Sequence, residues 1–259
     1  MTAEHMPVQT APSRAQRVLV VLPAYNAERT ITLVHQDLSR FPYDLLLCDD
    51  CSTDRTVAVA QSLGIPVIRH EHNRGYGGNQ KTLYAAALQT DADIIVMVHP
   101  DYQYDPTVIP HMVAFIEAGI CDVILGNRIR TRRDAIAGGM PLWKYLVNRA
   151  SSLFENILLG QNLGEWHSGL RAYSRRVLET IPWERNSDDF AFDQQFLMQC
   201  VFWKFRIGDV PVGTRYFREA SSINLRRSVV YGMHTLCALG QLLLAQAGIA
   251  RCAIFRERH

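Results

Sequence analysis

The residues able to do chemistry in this chain crowd at the ends of short apolar runs. Ile94-Ile-Val-Met-Val98 breaks into His99-Pro-Asp101-Tyr-Gln103. Pro100 cannot donate to a ladder and pushes His99 towards an extended conformation, so a buried strand should end there. Asp101 and Gln103 would then present oxygen ligands suited to a hard divalent cation. Such a cation would neutralise a diphosphate as it departs, which is where charge develops.

Two earlier runs end in the same way. Pro23-Ala-Tyr-Asn26 follows Val18–Leu22, and Asp49-Asp50 follows Leu45-Leu-Leu-Cys48. A carboxylate after a second strand can accept hydrogen bonds from a base or ribose, and Tyr25 can pack against a base. Three strand ends would thus meet on one edge of a sheet, where open α/β sheets bind ligands. The first strand–helix turn carries no Walker A motif, no G-x-G-x-x-G and no Gly-rich basic loop. Nucleoside-triphosphate hydrolysis, hydride transfer and nucleotidyl transfer are therefore disfavoured.

The elements that must hold these residues follow from the apolar pattern. Strands are expected at Val18–Leu22 (closed by Pro23), Leu45–Cys48, Pro66–Ile68, Ile94–Val98 and Asp122–Leu125. Between them lie helical patterns at Glu28–Arg40, Asp54–Leu63, Asn73–Gln89 and Thr107–Ala118, with Asp105-Pro106 capping the last. Strands alternating with helices imply a doubly wound, mostly parallel α/β sheet with helices on both faces. After Gly126 the rhythm changes. Arg128–Met140 is basic and Gly-rich, and Pro141–Leu159 reads as one long helix. The loop Glu165–Arg171 should lead into a short helix, and Asn186-Ser-Asp-Asp189 should cap a helix reaching about Trp203. Arg206–Tyr216 reads as an added strand or hairpin.

Composition narrows the setting. With 259 residues, 48% of them hydrophobic, the chain can bury a full core, and a net charge of +2 argues against wholesale nucleic-acid binding. Cys48-Asp-Asp-Cys51 has no second pair to complete a zinc site. Residues 1–16 lack an apolar core and read as a loose tail rather than a signal peptide, which points to the cytoplasm. Residues 17–225 are expected to form the main domain, in halves 17–128 and 129–225, followed by an amphipathic C-terminal helix over 226–259. Within that tail, Val229–Ala250 has no formal charge, but His234, Gln241, Gln246 and three glycines interrupt it. It should pack on the domain, lie on a membrane surface at its inner face with Arg226, Arg227, Arg251 and Arg256 meeting anionic headgroups, or span the bilayer. Oligomeric state is left open.

The order of motifs is itself informative. Pro23-Ala-Tyr-Asn26…Glu28, Cys48-Asp-Asp-Cys-Ser-Thr-Asp54, Asn73-Arg-Gly-Tyr-Gly-Gly78, His99-Pro-Asp-Tyr-Gln103, Gly126-Asn-Arg128 and Ser168-Gly-Leu-Arg-Ala-Tyr173 occur in sequence. Together they resemble the family 2 glycosyltransferases, in the manner of the polyprenol-phosphate sugar synthases, over roughly residues 17 to 215. The resemblance implies a GT-A fold, a nucleoside-diphosphate-sugar donor, magnesium or manganese, and inversion at the sugar carbon. It assigns Pro23, Tyr25 and Glu28 to nucleotide contact, and Cys48 and Asp50 to base and ribose. Asp101 and Gln103 keep the second acid and the glutamine of the metal motif, while His99 stands where the first acid is expected. Arg128 and Arg171 match arginines suited to diphosphate or acceptor phosphate. Asp193 falls where the family's helix carries an acid, and Glu165, His167 and Ser168 are candidates to line the acceptor pocket.

The acceptor is expected to be a polyprenyl-phosphate-like lipid, with a soluble hydroxyl as the alternative. Because an imidazole is a poorer magnesium ligand than a carboxylate, metal dependence should be weakened but real. The missing first acid also leaves open a nucleotide-sugar-binding protein that has lost catalysis.

Overall fold

The computed structural model describes residues 16–129, 131–137, 140–214, 225–249 and 252–258. The chain runs β1 (Val18–Ala24), α1 (Ile31–Leu38), β2 (Asp44–Asp49), α2 (Thr56–Ser62), β3 (Val67–Arg69), α3 (Gly75–Leu88) and β4 (Ile94–Met97). A single 3-10 turn at Pro106–Val108 then leads into α4 (Ile109–Glu117) and β5 (Val123–Asn127). After these come α5 (Arg132–Ala137), α6 (Leu142–Leu159), β6 (Arg171–Ser174), α7 (Arg175–Thr180), α8 (Ala191–Phe202), β7 (Ile207–Pro211) and α9 (Leu225–Gln246).

The strands form one seven-stranded sheet in the order β3-β2-β1-β4-β6-β5-β7. Only β6 runs antiparallel, between β4 and β5. Alternate residues of β1 feed two cores. Leu19 and Val21 join Leu83 and Tyr84 of α3 and Phe192 and Phe196 of α8. Val18, Val20 and Leu22 join Ile31 and Val34 of α1 and Ile109 and Met112 of α4. Both faces are therefore covered, which is why the parallel strands read as unbroken apolar runs.

Five expectations need correction. The strand β1 runs through Pro23 to Ala24. Its ladder with β4 stops at Val21↔Met97, so the N–H that Pro23 lacks would have faced past that strand's end. Arg171-Ala-Tyr-Ser174, expected in a loop and the start of a short helix, is the antiparallel strand β6, and the helix begins only at Arg175. Four residues are too few to display a period of two. Within the basic stretch 128–140, Arg132–Ala137 is helical.

Asn186–Asp189 does not cap α8 with its side chains. That helix starts at Ala191 behind Phe190, with no side-chain cap. The Asp188 carbonyl instead accepts the N–H groups of Gly77 (2.7 Å) and Gly78 (3.1 Å) at the start of α3, whose first-turn donors need partners.

The tail helix α9 begins earlier and ends sooner than the apolar run suggested. Among its described side chains Thr235, Ala238, Leu239 and Leu242 are buried, packed towards α8, whereas Leu236 and Leu243 are exposed. The chain then returns to the domain, where Ile254 and Phe255 are buried and Phe255 meets Phe202. The side chains of Arg226, Arg227 and His234, all of Arg251, and residues 1–15 and 215–216 lie outside the described residues. Among the described residues no helix is long and apolar enough to cross a membrane.

Candidate active site

The carboxyl ends of β2, β1 and β4 are neighbours in the sheet, and short bonds tie their loops together. The Asp50 N–H donates to Ala24 O at 2.9 Å, and the Thr30 hydroxyl donates to Pro100 O. Tyr25, at the tip of β1, is 56% exposed and free to cover a flat ring. Asn26 adopts a left-handed φ of 54°, and its side-chain oxygen accepts the Thr53 N–H at 2.9 Å. Glu28 accepts the Arg55 N–H at 2.9 Å, so it braces the turn after β2.

Asp50 is buried and already engaged. Its Oδ1 accepts the Arg74 N–H (2.8 Å) and lies 2.7 Å from His70 Nδ1, and its Oδ2 accepts the Gly75 N–H (3.0 Å). Its carboxylate therefore holds the Asn73-Arg-Gly75 turn that opens α3. Cys48 lies beneath, 3.5 Å from His70 Nε2, with burial pushing its thiol up to about 12.

At the end of β4 a second network forms around Tyr76. Its hydroxyl lies 3.0 Å from His99 Nε2 and donates to Asp193 Oδ2 at 2.8 Å. The Tyr76 ring stacks between His99 and Phe190, at centroid distances of 5.4 and 5.0 Å. Asp193 Oδ1 accepts Gln80 Nε2 at 3.1 Å and lies 3.0 Å from Arg171 Nη1. That last contact is an ion pair off the line of a hydrogen bond, and Arg171 spends its Nε on Ser168 O at 2.8 Å. Burial works against the Arg171 charge, but Asp193 together with the surrounding Tyr173, Tyr76 and Tyr84 holds the guanidinium above its ordinary range. Burial lowers His99 towards the neutral imidazole. Gly169 permits the close approach, since a Cβ there would sit 2.6 Å from His99 Cδ2.

A third cluster lies beneath α6. Arg128 donates its Nε to Glu165 Oε1 at 2.7 Å and its backbone N–H to Glu165 Oε2 at 2.8 Å. Asn148 donates to the same carboxylate at 3.0 Å. Burial alone would raise Glu165, but the Arg128 guanidinium brings it below the usual carboxylate range. Arg128 is thus spent on an internal ion pair rather than held towards the strand ends. His167 places Nδ1 2.7 Å from Gln194 Nε2 and Nε2 3.4 Å from Glu155 Oε2. Burial lowers His167 to about 4 and raises Glu155 to about 8.

For a divalent cation, the chain's own contribution is small but chemically apt. Among the described residues no three His, Cys, Asp or Glu side chains converge on one point. Asp101 Oδ1 accepts the Gln103 N–H at 2.9 Å, and among the described residues Oδ2 has no hydrogen-bond partner. One carboxylate oxygen beside a diphosphate is how magnesium is commonly held, with waters completing its shell. His99 turns Nε2 to Tyr76, so only its other nitrogen could join.

The structure thus gathers Asp101, His99, Asp193 and Arg171 at one strand end, sets Tyr25 and Asp50 on the neighbouring ends, and keeps Arg128 and Glu165 paired behind them. Tyr76, Gln80, His70, Gln194 and Glu155 were not singled out from the sequence. Tyr76 and Gln80 are four residues apart on α3, a spacing that puts both on one helix face and could have flagged them.

The glycosyl transferase family 2 model matches residues 19–181. A UDP-N-acetylglucosamine–dolichyl-phosphate N-acetylglucosaminyltransferase of Methanococcus voltae is 28% identical over 217 residues, covering 77% of this chain and 86% of its own length. A dolichyl-phosphate hexose transferase of Haloferax volcanii is 29% identical over 198 residues, covering 76% and 82%. Among solved structures, glucosyl-3-phosphoglycerate synthase of Mycobacterium tuberculosis, with Mn2+, UDP-glucose and phosphoglyceric acid bound, aligns with a TM-score of 0.67 at 23% identity. That alignment covers 94% of this chain and 86% of the other, and it establishes a shared GT-A fold.

Proposed function

The chain belongs to glycosyl transferase family 2, and on that premise we propose that it transfers a sugar, with inversion, from a nucleoside diphosphate to a polyprenyl-phosphate acceptor. One observation carries the choice of acceptor. The carboxylates nearest the acceptor side are already occupied: Asp193 by Tyr76, Gln80 and Arg171, and Glu165 by Arg128 and Asn148. A hydroxyl acceptor needs a base within hydrogen-bond reach, whereas a phosphate arrives ionised and needs none. The dolichyl-phosphate relatives point the same way.

In this reading Tyr25 covers the base, and Asp50 shapes the Asn73–Gly75 turn against the ribose side. Asp101 Oδ2 and Gln103 face the diphosphate, and magnesium or manganese bound with the donor supplies positive charge against the leaving group. Arg171, held by Asp193 and Ser168 and buried beneath the acceptor side, adds positive charge behind the acceptor phosphate rather than a direct contact. An acceptor phosphate oxygen attacks the anomeric carbon from the face opposite the diphosphate. The new C–O bond forms as the sugar–diphosphate bond breaks, so one inversion results.

The test is incubation with radiolabelled nucleotide sugars, polyprenyl phosphate and manganese, followed by organic extraction. Label in the organic phase is expected. Label appearing only in a water-soluble glycoside would favour a soluble acceptor. Tight donor binding with no transfer to any acceptor would favour a binding protein.

A further inference from the structure

The helix α6 has two unlike faces. Inward, Asn148, Ser152, Glu155 and Leu159 are buried. Outward, Trp143, Leu146, Val147, Leu153, Phe154 and Ile157 are exposed, Ile157 at 72%. Their spacings of three, four and seven residues set them on one side of a helix about 27 Å long, as an apolar stripe. Single exposed apolar residues are ordinary, but a contiguous stripe of this kind marks a binding surface.

The charges nearby select what could cover it. Within Leu142–Leu159 the only acidic residue is Glu155, and it is 1% exposed. Lys144 and Arg149 lie on the same helix, and Arg132 and Arg133 are exposed on α5, which packs against α6. An apolar stripe carrying Trp, Leu and Phe, edged by cations and with no exposed acid on α6 itself, fits the headgroup boundary of an anionic bilayer.

The buried face connects this surface to the candidate acceptor side. Asn156 accepts the Leu163 N–H (3.0 Å) and Trp166 Nε1 (2.9 Å) and donates to Leu163 O (2.7 Å). Arg149 donates to Gly164 O at 2.8 Å, and Asn148 reaches Glu165. The loop leading to Ser168 and Arg171 is therefore fastened along the underside of α6.

We propose that the outer face of α6 lies on an anionic phospholipid bilayer and seats the acceptor side of the site against it. The proposal rests on the polyprenyl-phosphate reading for its purpose, not for its occurrence. The helix lies on the surface without crossing it, with Trp143 at headgroup depth and Arg132 and Arg133 near phosphates. This surface is separate from the C-terminal tail, whose α9 buries one face against α8.

The test is flotation of the full chain with vesicles of phosphatidylcholine alone or mixed with phosphatidylglycerol, containing no prenyl phosphate and no donor. The wild type should float with the mixed vesicles and less with the neutral ones. The double variant Leu146→Glu, Phe154→Glu should lose about tenfold or more of its bound fraction, since each change removes a buried-on-binding apolar side chain. Its thermal unfolding temperature should stay at the wild-type value, as both sites are exposed.

Wild-type protein that fails to float, or a variant that floats equally well, overturns the proposal. So does a wild-type dimer in sedimentation that the variant converts to a monomer, which would make the stripe a self-association face. Transfer to a short, water-soluble prenyl phosphate without vesicles is read separately. Transfer without flotation overturns docking and leaves the acceptor reading standing, and flotation without any transfer does the reverse.

Discussion

Arg171 Nη1 stands 3.0 Å from Asp193 Oδ1, and Arg171 is 1% exposed. A guanidinium so deeply buried depends on that carboxylate for most of its charge compensation. Asp193→Ala should therefore cost about 3–5 kcal/mol of stability, read from denaturant midpoints. Arg171→Met combined with Asp193→Leu should cost less than the sum of the single changes, because neither charge is then left alone. Additive losses would mean the two residues do not depend on each other.

Tyr76 joins that pair to His99 through one hydroxyl. Burial, and then Asp193, hold its phenol well above its ordinary range, so it stays protonated and donating. Tyr76→Phe should lower stability by only about 1 kcal/mol while kcat falls and donor affinity holds, since the ring stack survives. An unchanged kcat would remove Tyr76 from the site.

Glu155 and His167 give stability a distinctive pH profile. Glu155 rises from 4.5 to about 8 on folding, so the folded chain binds the extra proton. Its contribution is complete below pH 4.5 and is lost as pH climbs through 8. His167 falls from 6.5 to about 4, so its contribution is complete above pH 6.5 and is lost as pH drops through 4. The two slopes oppose each other between pH 4.5 and 6.5, and only that of Glu155 acts from 6.5 to 8. Melting temperature should therefore decline across that upper window in the wild type and decline less in Glu155→Gln.

Asp101 should be the residue through which metal dependence is felt. Chelation should depress transfer, and added manganese should restore it in the wild type. Asp101→Ala should show no turnover at any metal concentration, with an unaltered fold by circular dichroism. Retained activity in that variant would refute its role.

Legibility in the sequence followed burial. The strands β1, β2 and β4 could be read because both sheet faces are covered, so nearly every residue is apolar. The strand β6 could not, because it is four residues long and opens on a buried arginine. The helix α3 concealed Tyr76 and Gln80 because the buried face of its first turns carries Gly77, Gly78, Asn79 and Gln80, and the apolar Leu83, Tyr84 and Ala87 follow only in its second half. Arg128 matched a phosphate-binding position by motif, yet its partner Glu165 lies 37 residues away, a pairing that no local pattern reveals. Conversely, Asp105 was legible as a cap, and its carboxylate accepts the Thr107 N–H at 3.0 Å.

Whether the ends of β1, β2 and β4 form a single donor cradle is tested most directly by hydrogen–deuterium exchange, with and without a nucleoside diphosphate and manganese. Residues 23–28, 49–52, 73–76 and 99–103 should gain protection together at one ligand concentration. Protection confined to 155–168, or appearing in these four segments at different concentrations, would contradict the account.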